Sequence, residues 1–180
     1  AFVSATNLHL DPANNSTLDD LGTPLTNITD DIDADIRNTL MPDMGADEFA
    51  SSASINVALT AGWNMISNPV TVTNDSVTVL YPTSVLSYAF SFNAGYIQDY
   101  TMENGTGYWE KFPAATSQSV SGVPRTRDSI DVLAGWNMVG TISNPVDTNT
   151  IVSVPPGMRT SPWFAFAGAY VPVTQLVPGQ

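Results

Sequence analysis

Gly62-Trp63-Asn64-Met65-Ile66, followed by Ser67-Asn68-Pro69-Val70, is written again as Gly135-Trp136-Asn137-Met138-Val139 followed by Ser143-Asn144-Pro145-Val146. The two tryptophans are 73 residues apart and the two later asparagines 76, so the second copy carries a three-residue insertion, in effect Gly140-Thr141-Ile142. A match of this kind inside one chain marks a duplicated unit. Most of the protein is therefore expected to be one structure built twice, over about residues 55–127 and 128–180.

Working outward, each copy reads as short strands separated by turn formers. Ile55 to Leu59 alternates apolar with small or polar residues, Ala61-Gly62 turns, and Trp63 to Ile66 forms the next strand. Val85 to Phe92 places Tyr88, Phe90 and Phe92 at period two, the pattern of a half-buried strand. Asn93-Ala94-Gly95 leads into Tyr96 to Tyr100. Glu103-Asn104-Gly105-Thr106-Gly107 then leads into Tyr108 to Phe112, and Asn-Gly is the strongest local hairpin signal, so a β-meander is expected. Gln118 to Val123 and Ser129 to Leu133 bring the chain to the second copy. There, Trp163-Phe164-Ala165-Phe166 matches Tyr88 to Phe92, and Ala167-Gly168-Ala169-Tyr170 matches Asn93 to Tyr96. Leu176 to Gln180 matches Met102 to Thr106. In the first copy Gly107-Tyr108-Trp109 follows, so a Gly-Tyr-Trp-like strand is expected to follow Gln180 in the natural protein.

Composition narrows the class. The chain has 180 residues, 17 acids against 5 bases, a formal charge of −12, and only 12% charged residues. That suits a β-rich extracellular protein. A deficit of Lys and Arg excludes nucleic-acid binding, which rests on displacing phosphate counterions, and disfavours an anionic membrane surface. There is no cysteine, so disulfides, thiol catalysis and Cys-type zinc sites are out. No run approaches the ~18 apolar residues of a membrane helix, so no membrane insertion is expected. Ala1-Phe2-Val3-Ser4 is not a signal peptide and reads like the middle of a longer protein.

Residues 1–50 hold nine Asp, one Glu and one Arg, a net −9, against −3 for residues 51–180. With Ala50-Ser51-Ser52-Ala53-Ser54 as a small polar linker, this predicts a boundary near residue 50. The first segment is poor in apolar residues and rich in Asx and Pro turns, so short β runs are expected. Asp30-Asp31-Ile32-Asp33-Ala34-Asp35-Ile36-Arg37, followed by Pro42-Asp43-Met44-Gly45-Ala46-Asp47-Glu48-Phe49, resembles the closing segment of secreted bacterial right-handed parallel β-helix proteins. One departure is Ala34, where that family usually has Gly. The resemblance implies a β-helix C-terminal cap over residues 1–50, the last coil of a longer solenoid.

Asp31, Asp33 and Asp35 alternate with Ile32, Ala34 and Ile36. On a strand they would share one face, where calcium, an oxygen-seeking cation, is the natural relief for their repulsion. An EF-hand is excluded because Ile36 stands at the sixth position and Pro42 at the twelfth. The alternative is a solvated acidic edge that resists edge-to-edge pairing. His9, the single histidine, reads as structural.

Residues 55–180 resemble a second group: paired Gly-Trp-Asn segments, each followed by a Gly-Tyr-Trp strand, near the C-termini of large cell-surface proteins of Bacteroidetes-like bacteria. That group carries no agreed activity. Trp63 and Trp136 are expected in a shared pseudo-two-fold core. Gly62 and Gly135 are expected at turns with positive φ or in close packing, and Asn64 and Asn137 on nearby turn backbone.

The fold class expected is all-β: a β-helix-like terminal coil and cap, then a pseudo-two-fold duplicated β-sandwich or barrel. No phosphate loop, Ser-His-Asp set or histidine cluster is present. Glu103 with Glu110, or Asp99 with Glu110, are the carboxylate pairs nearest an aromatic hairpin, and their geometry would decide glycosidase chemistry. Tyr96, Tyr100, Tyr108, Trp109, Trp163 and Tyr170 lie on or beside hairpins, where aromatic faces next to Asn, Gln and Asp could stack on sugar rings. The expectation is a non-catalytic extracellular structural or adhesive module whose partner is a polysaccharide or another cell-surface protein. The alternative is a carbohydrate-binding module attached to a β-helix polysaccharide-degrading enzyme.

Overall fold

The computed structural model describes residues 2–7, 9–11, 15, 18–34, 36–49 and 52–180. The chain divides into two compact units, Ala1–Ser52 and Ala53–Gln180. The protein is all-β, built from antiparallel sheets that do not close into a barrel. No helix among the described residues is long and apolar enough to cross a membrane.

In the first unit the described residues pair only at isolated antiparallel bridges, Phe2 with Leu10 and Asp30 with Ile36. Side-chain carboxylates do most of the organising instead. Asp43, buried, accepts from the amides of Asp20 at 2.8 Å and Phe49 at 2.6 Å. Glu48 accepts from the amides of Asn38 at 2.9 Å and Asp43 at 3.1 Å. Arg37 donates to the carbonyls of Asp43 and Gly45 at 2.6 and 2.9 Å. A segment with so few apolar residues thus satisfies its backbone through acids in place of a sheet ladder.

The second unit opens with β1 (Ala53–Leu59), β2 (Gly62–Ser67) and β3 (Val70–Thr71), then one helical turn at Val77–Leu80. β4 (Ala89–Phe92), β5 (Tyr96–Asp99), β6 (Gly107–Phe112) and β7 (Thr116–Pro124) complete the first copy. Ala53 and Ser54, expected in a linker, belong to β1, because Ser54 pairs with Ser121 and bonds the Ser119 and Ser121 hydroxyls at 2.6 and 2.8 Å. Ala50 and Ser51 lie outside the described residues.

Two sheets result, β1-β7-β3 and β2-β6-β4-β5. Their inward side chains meet in one core: Val57, Leu59 and Val120 from the first, Ile66, Ala89, Tyr108 and Phe112 from the second. The order corrects the expected meander. β4 and β5 form the hairpin anticipated, but β6 lies between β2 and β4 and does not touch β5's edge. The reason lies in the Asn-Gly turn. Asn104 spends its amide on the carbonyls of Asn68 at 2.9 Å and Val70 at 2.7 Å, which carries the chain across the sheet.

The second copy contains β8 (Val146–Asp147), β9 (Trp163–Phe166), β10 (Tyr170–Val173) and β11 (Gln175–Leu176). Its repetition of the first is geometric. Gly62 and Gly135 have φ of 95° and 99°, a turn conformation that a side chain would strain. Asn64 bonds the amide and carbonyl of Thr60, both at 2.9 Å, and Asn137 does the same to Leu133 at 2.9 and 2.8 Å. Trp63 meets Phe90 at 6.0 Å between ring centroids, and Trp136 meets Phe164 at 5.9 Å.

The two copies exchange contacts reciprocally. The Gly140 amide donates to the Gly105 carbonyl at 2.8 Å, and the Ser67 amide to the Gly179 carbonyl at 3.0 Å. Between them, the buried Ser67 and Thr141 hydroxyls bond each other at 2.9 Å.

Two expectations fail here. Trp63 and Trp136 are exposed, by 42% and 69%, not in a shared core. Strand alternation puts Trp63 on the outer face with Lys111, while Asn64 and Ile66 face inward opposite Glu110 and Tyr108. Gly135 to Val139 and Ser129 to Leu133 form no strand, apart from a single bridge between Val139 and Thr106. Their counterparts in the first copy are strands because β6 and β7 pair with them.

Candidate functional site

The six aromatic residues singled out in the sequence separate into three environments. Tyr96 and Tyr100 on the β4-β5 hairpin and Tyr170 on the β9-β10 hairpin are exposed, each by about three-fifths. Tyr108 is buried, its hydroxyl accepting from the Glu103 amide at 2.9 Å, and burial pushes its phenol up. It is a core residue. Trp109 and Trp163 are half-buried. Trp109 packs edge-on against Phe166 at 4.7 Å and reaches Tyr170 at 6.3 Å. Trp163 lies under the Arg159 guanidinium at 5.7 Å.

Equivalent turns build the two hairpins. In each, the first turn residue donates to the third, Asn93 to Gly95 and Ala167 to Ala169, both at 2.9 Å. Phe92 stacks on Tyr96 at 5.4 Å and Phe166 on Tyr170 at 5.9 Å, both edge-on. Tyr96 and Tyr170 lie close enough for one phenol to act on the other. Partial burial, and then the neighbouring Tyr96, push the Tyr170 phenol up. The exposed rings therefore form one patch across the two copies. Tyr100 stands apart, its hydroxyl accepting from Gln98 at 2.7 Å and its ring against Tyr88 at 5.9 Å.

The carboxylates beside this patch lie in different environments. Glu110 is fully buried, and Ser84 Oγ and the Lys111 amide both donate to its Oε1. Its Oε2 has no partner, and burial pushes its pKa up. It points to the core face of β6, opposite Trp109. Asp99 accepts from Ser91 Oγ at 2.5 Å. A cavity of about 320 Å³ opens beside Phe92, Ile97, Ile130, Val132 and Met138.

In the first unit, the two described members of the expected aspartate row, Asp31 and Asp33, make separate contacts. Residues 31–34 form a turn, with Ala34 at φ 68°. Asp31 accepts from the amides of Asp33 at 2.8 Å and Glu48 at 3.0 Å, which draws its carboxylate away from a common face. Asp35 lies outside the described residues. Asp33 instead reaches His9, Nε2 to Oδ2 at 2.5 Å. Ligand atoms of His9, Asp33 and Asp47 lie within 4.8 Å of one another. The sequence reading missed this grouping, since His9 and Asp47 are 38 residues apart and no local spacing announces them.

No known protein family, curated protein or solved structure matches the chain.

Proposed function

We propose that the duplicated unit is a non-catalytic adhesive module of a secreted or cell-surface bacterial protein, and that it engages its target through the Tyr96–Tyr170 patch. The observation behind this reading is the patch itself. Two tyrosines from different copies, both about 60% exposed, stand near each other beside Phe92, Phe166 and Trp109. A rigid aromatic surface with hydroxyls at its rim offers contact area at low entropic cost. The low share of basic residues steers the target away from nucleic acid and anionic membrane. The sealed position of Glu110 supports a binding role over hydrolysis.

The same observation favours a second reading, in which the target is a polysaccharide. Edge-on tyrosines with free faces are the geometry on which sugar rings stack, and such a module would serve an enzyme elsewhere in the full protein. The binding step we propose uses no calcium. The first-unit cluster offers two carboxylates and an imidazole, a poorer set for a hard cation than oxygens alone.

A glycan array, run with calcium and again with chelator, tests both readings, with Tyr96→Ala/Tyr170→Ala as the control. Binding lost in the double variant with circular dichroism unchanged supports the polysaccharide. A blank array, with adhesion to a cell-surface protein lost in the same variant, supports the first reading. Adhesion that survives the double variant refutes the patch.

A further inference from the structure

The cavity of about 320 Å³ lies between the β4-β5 hairpin of the first copy and residues 130–139 of the second. Its walls are of two kinds. Phe92, Ile130, Val132 and Met138 make one part apolar, and Asp99, Glu103 and Asp131 supply three acids. No base is among the residues that line it. Tyr108 forms part of the floor. Beyond burial, the charges of Asp99 and Glu103 both push its phenol up, so the two carboxylates act on one point. No ion pair neutralises the three acids. The ion pairs among the described residues are His9–Asp33, Arg37–Glu48 and Arg125–Asp128.

The duplication serves as an internal control. By the match of the two hairpins, Asp99 stands where the second copy has Val173, and Glu103 where it has Val177. By the match of the two glycine turns, Asp131 stands where the first copy has Ala58. The repeated frame is thus built with uncharged residues at all three places. Its fold does not call for the carboxylates, and like charges gathered without a base oppose the compact state. Charge added to the frame at one cleft and not at its counterpart points to a cationic ligand.

We propose that this cavity receives a lysine side chain from a segment of a partner protein, its alkyl stem along the apolar wall and its ammonium among Asp99, Glu103 and Asp131. The proposal stands independently of what engages the Tyr96–Tyr170 patch. A lysine stem lies along apolar surface while its head seeks charge, which matches the two kinds of wall. An ammonium donates three hydrogen bonds in separate directions, so it suits carboxylates that stand apart. A bare divalent cation needs its oxygens gathered. Among the described residues the group that brings ligand atoms within 4.8 Å of one another is His9, Asp33 and Asp47, not these three. The cavity is at the small end of the roughly 300–1,000 Å³ of ligand sites, a size for one side chain and its flanking backbone. Complementary charge of this kind sets which partner is accepted and speeds the encounter.

The test is a titration of the intact 180-residue protein with Nα-acetyl-lysine N-methylamide, read by amide NMR shifts. The expected result is saturable shifts at Phe92, Ile97, Thr106 and Val132 that follow one isotherm. The norleucine analogue, with the same stem and no ammonium, should bind about tenfold more weakly or worse. Glu103→Gln/Asp131→Asn in the protein should weaken the lysine probe to the same degree, with the spectrum otherwise unchanged. If that variant misfolds, the norleucine comparison still decides. Absence of saturation overturns the proposal, and so does equal binding of the norleucine analogue, which would leave only an apolar cleft. The same shifts with calcium chloride would make the ligand a bare ion, and binding of 1,5-diaminopentane about tenfold tighter than the lysine probe would make it a free diamine. Either result likewise overturns it.

Discussion

Asn137 clamps Leu133 by both of its backbone groups, accepting from its amide at 2.9 Å and donating to its carbonyl at 2.8 Å. Asn64 clamps Thr60 in the same way, and each asparagine also donates to the carbonyl of its turn glycine, Gly62 at 3.0 Å and Gly135 at 3.2 Å. The repeated Gly-Trp-Asn run is thus a turn device: glycine takes the positive φ, asparagine staples the corner, and tryptophan covers the outer face. Asn64→Ala should cost about 1–3 kcal/mol, because three backbone contacts go at once beside paired strands. Asn137→Ala should cost less, since its segment is unpaired and opens locally at little global expense. Urea denaturation of both variants measures the difference.

Trp109 and Trp136 should respond in opposite ways to truncation. Trp109 joins the copies through Phe166, and its loss leaves a hole between them, so Trp109→Ala is expected to cost about 3 kcal/mol. Trp136 is 69% exposed, and Trp136→Ala should fall within about 0.5 kcal/mol of the parent. Thermal and chemical denaturation would show the contrast.

The duplication, the turn glycines and the stapling asparagines were legible because each depends on local spacing, and so was the all-β class. The burial of the tryptophans was not. Period two says that Trp63 and Ile66 lie on opposite faces, but only the packing of β1-β7-β3 beneath β2-β6-β4-β5 decides which face is inside. Strand order was hidden for a similar reason. Asn104-Gly105 reads as a hairpin, yet Asn104 is held by Asn68 and Val70, more than thirty residues earlier. Among the aromatic candidates, Tyr96 and Tyr170 come together only through the relation between the copies, which spacing along the chain does not encode.

Ala94 occupies the left-handed region at φ 54°, where the matching position of the second hairpin has Gly168 at φ 79°. A methyl side chain disfavours that conformation and glycine does not. Ala94→Gly should therefore stabilise the protein by about 0.5–1 kcal/mol, read as a raised urea midpoint with an unchanged slope.

Glu110 gives the stability a defined dependence on pH. Burial raises its folded-state pKa above the unfolded value, so the folded state holds the proton more tightly. Its contribution is most favourable below the ordinary carboxylate range and is lost as pH rises through the raised folded value. Glu110→Gln should remove that decline. The difference in unfolding free energy between parent and variant is expected to shift in the variant's favour from pH 4 to pH 7.5. A difference that stays flat across that range would mean the carboxylate is solvated.

The central claim is that two copies of one unit are joined back to back about the Ser67–Thr141 hydroxyl pair, buried and 2.9 Å apart. Thr141 Oγ1 also accepts from the Gly179 amide of its own copy at 2.7 Å, and Ser67 Oγ accepts from the Thr141 amide of the other copy at 3.1 Å. A double-mutant cycle of Ser67→Ala and Thr141→Val measures this directly. The account predicts a coupling of about 1 kcal/mol or more between residues 74 positions apart. Strictly additive effects would contradict it, because the two copies would then not meet where the structure joins them.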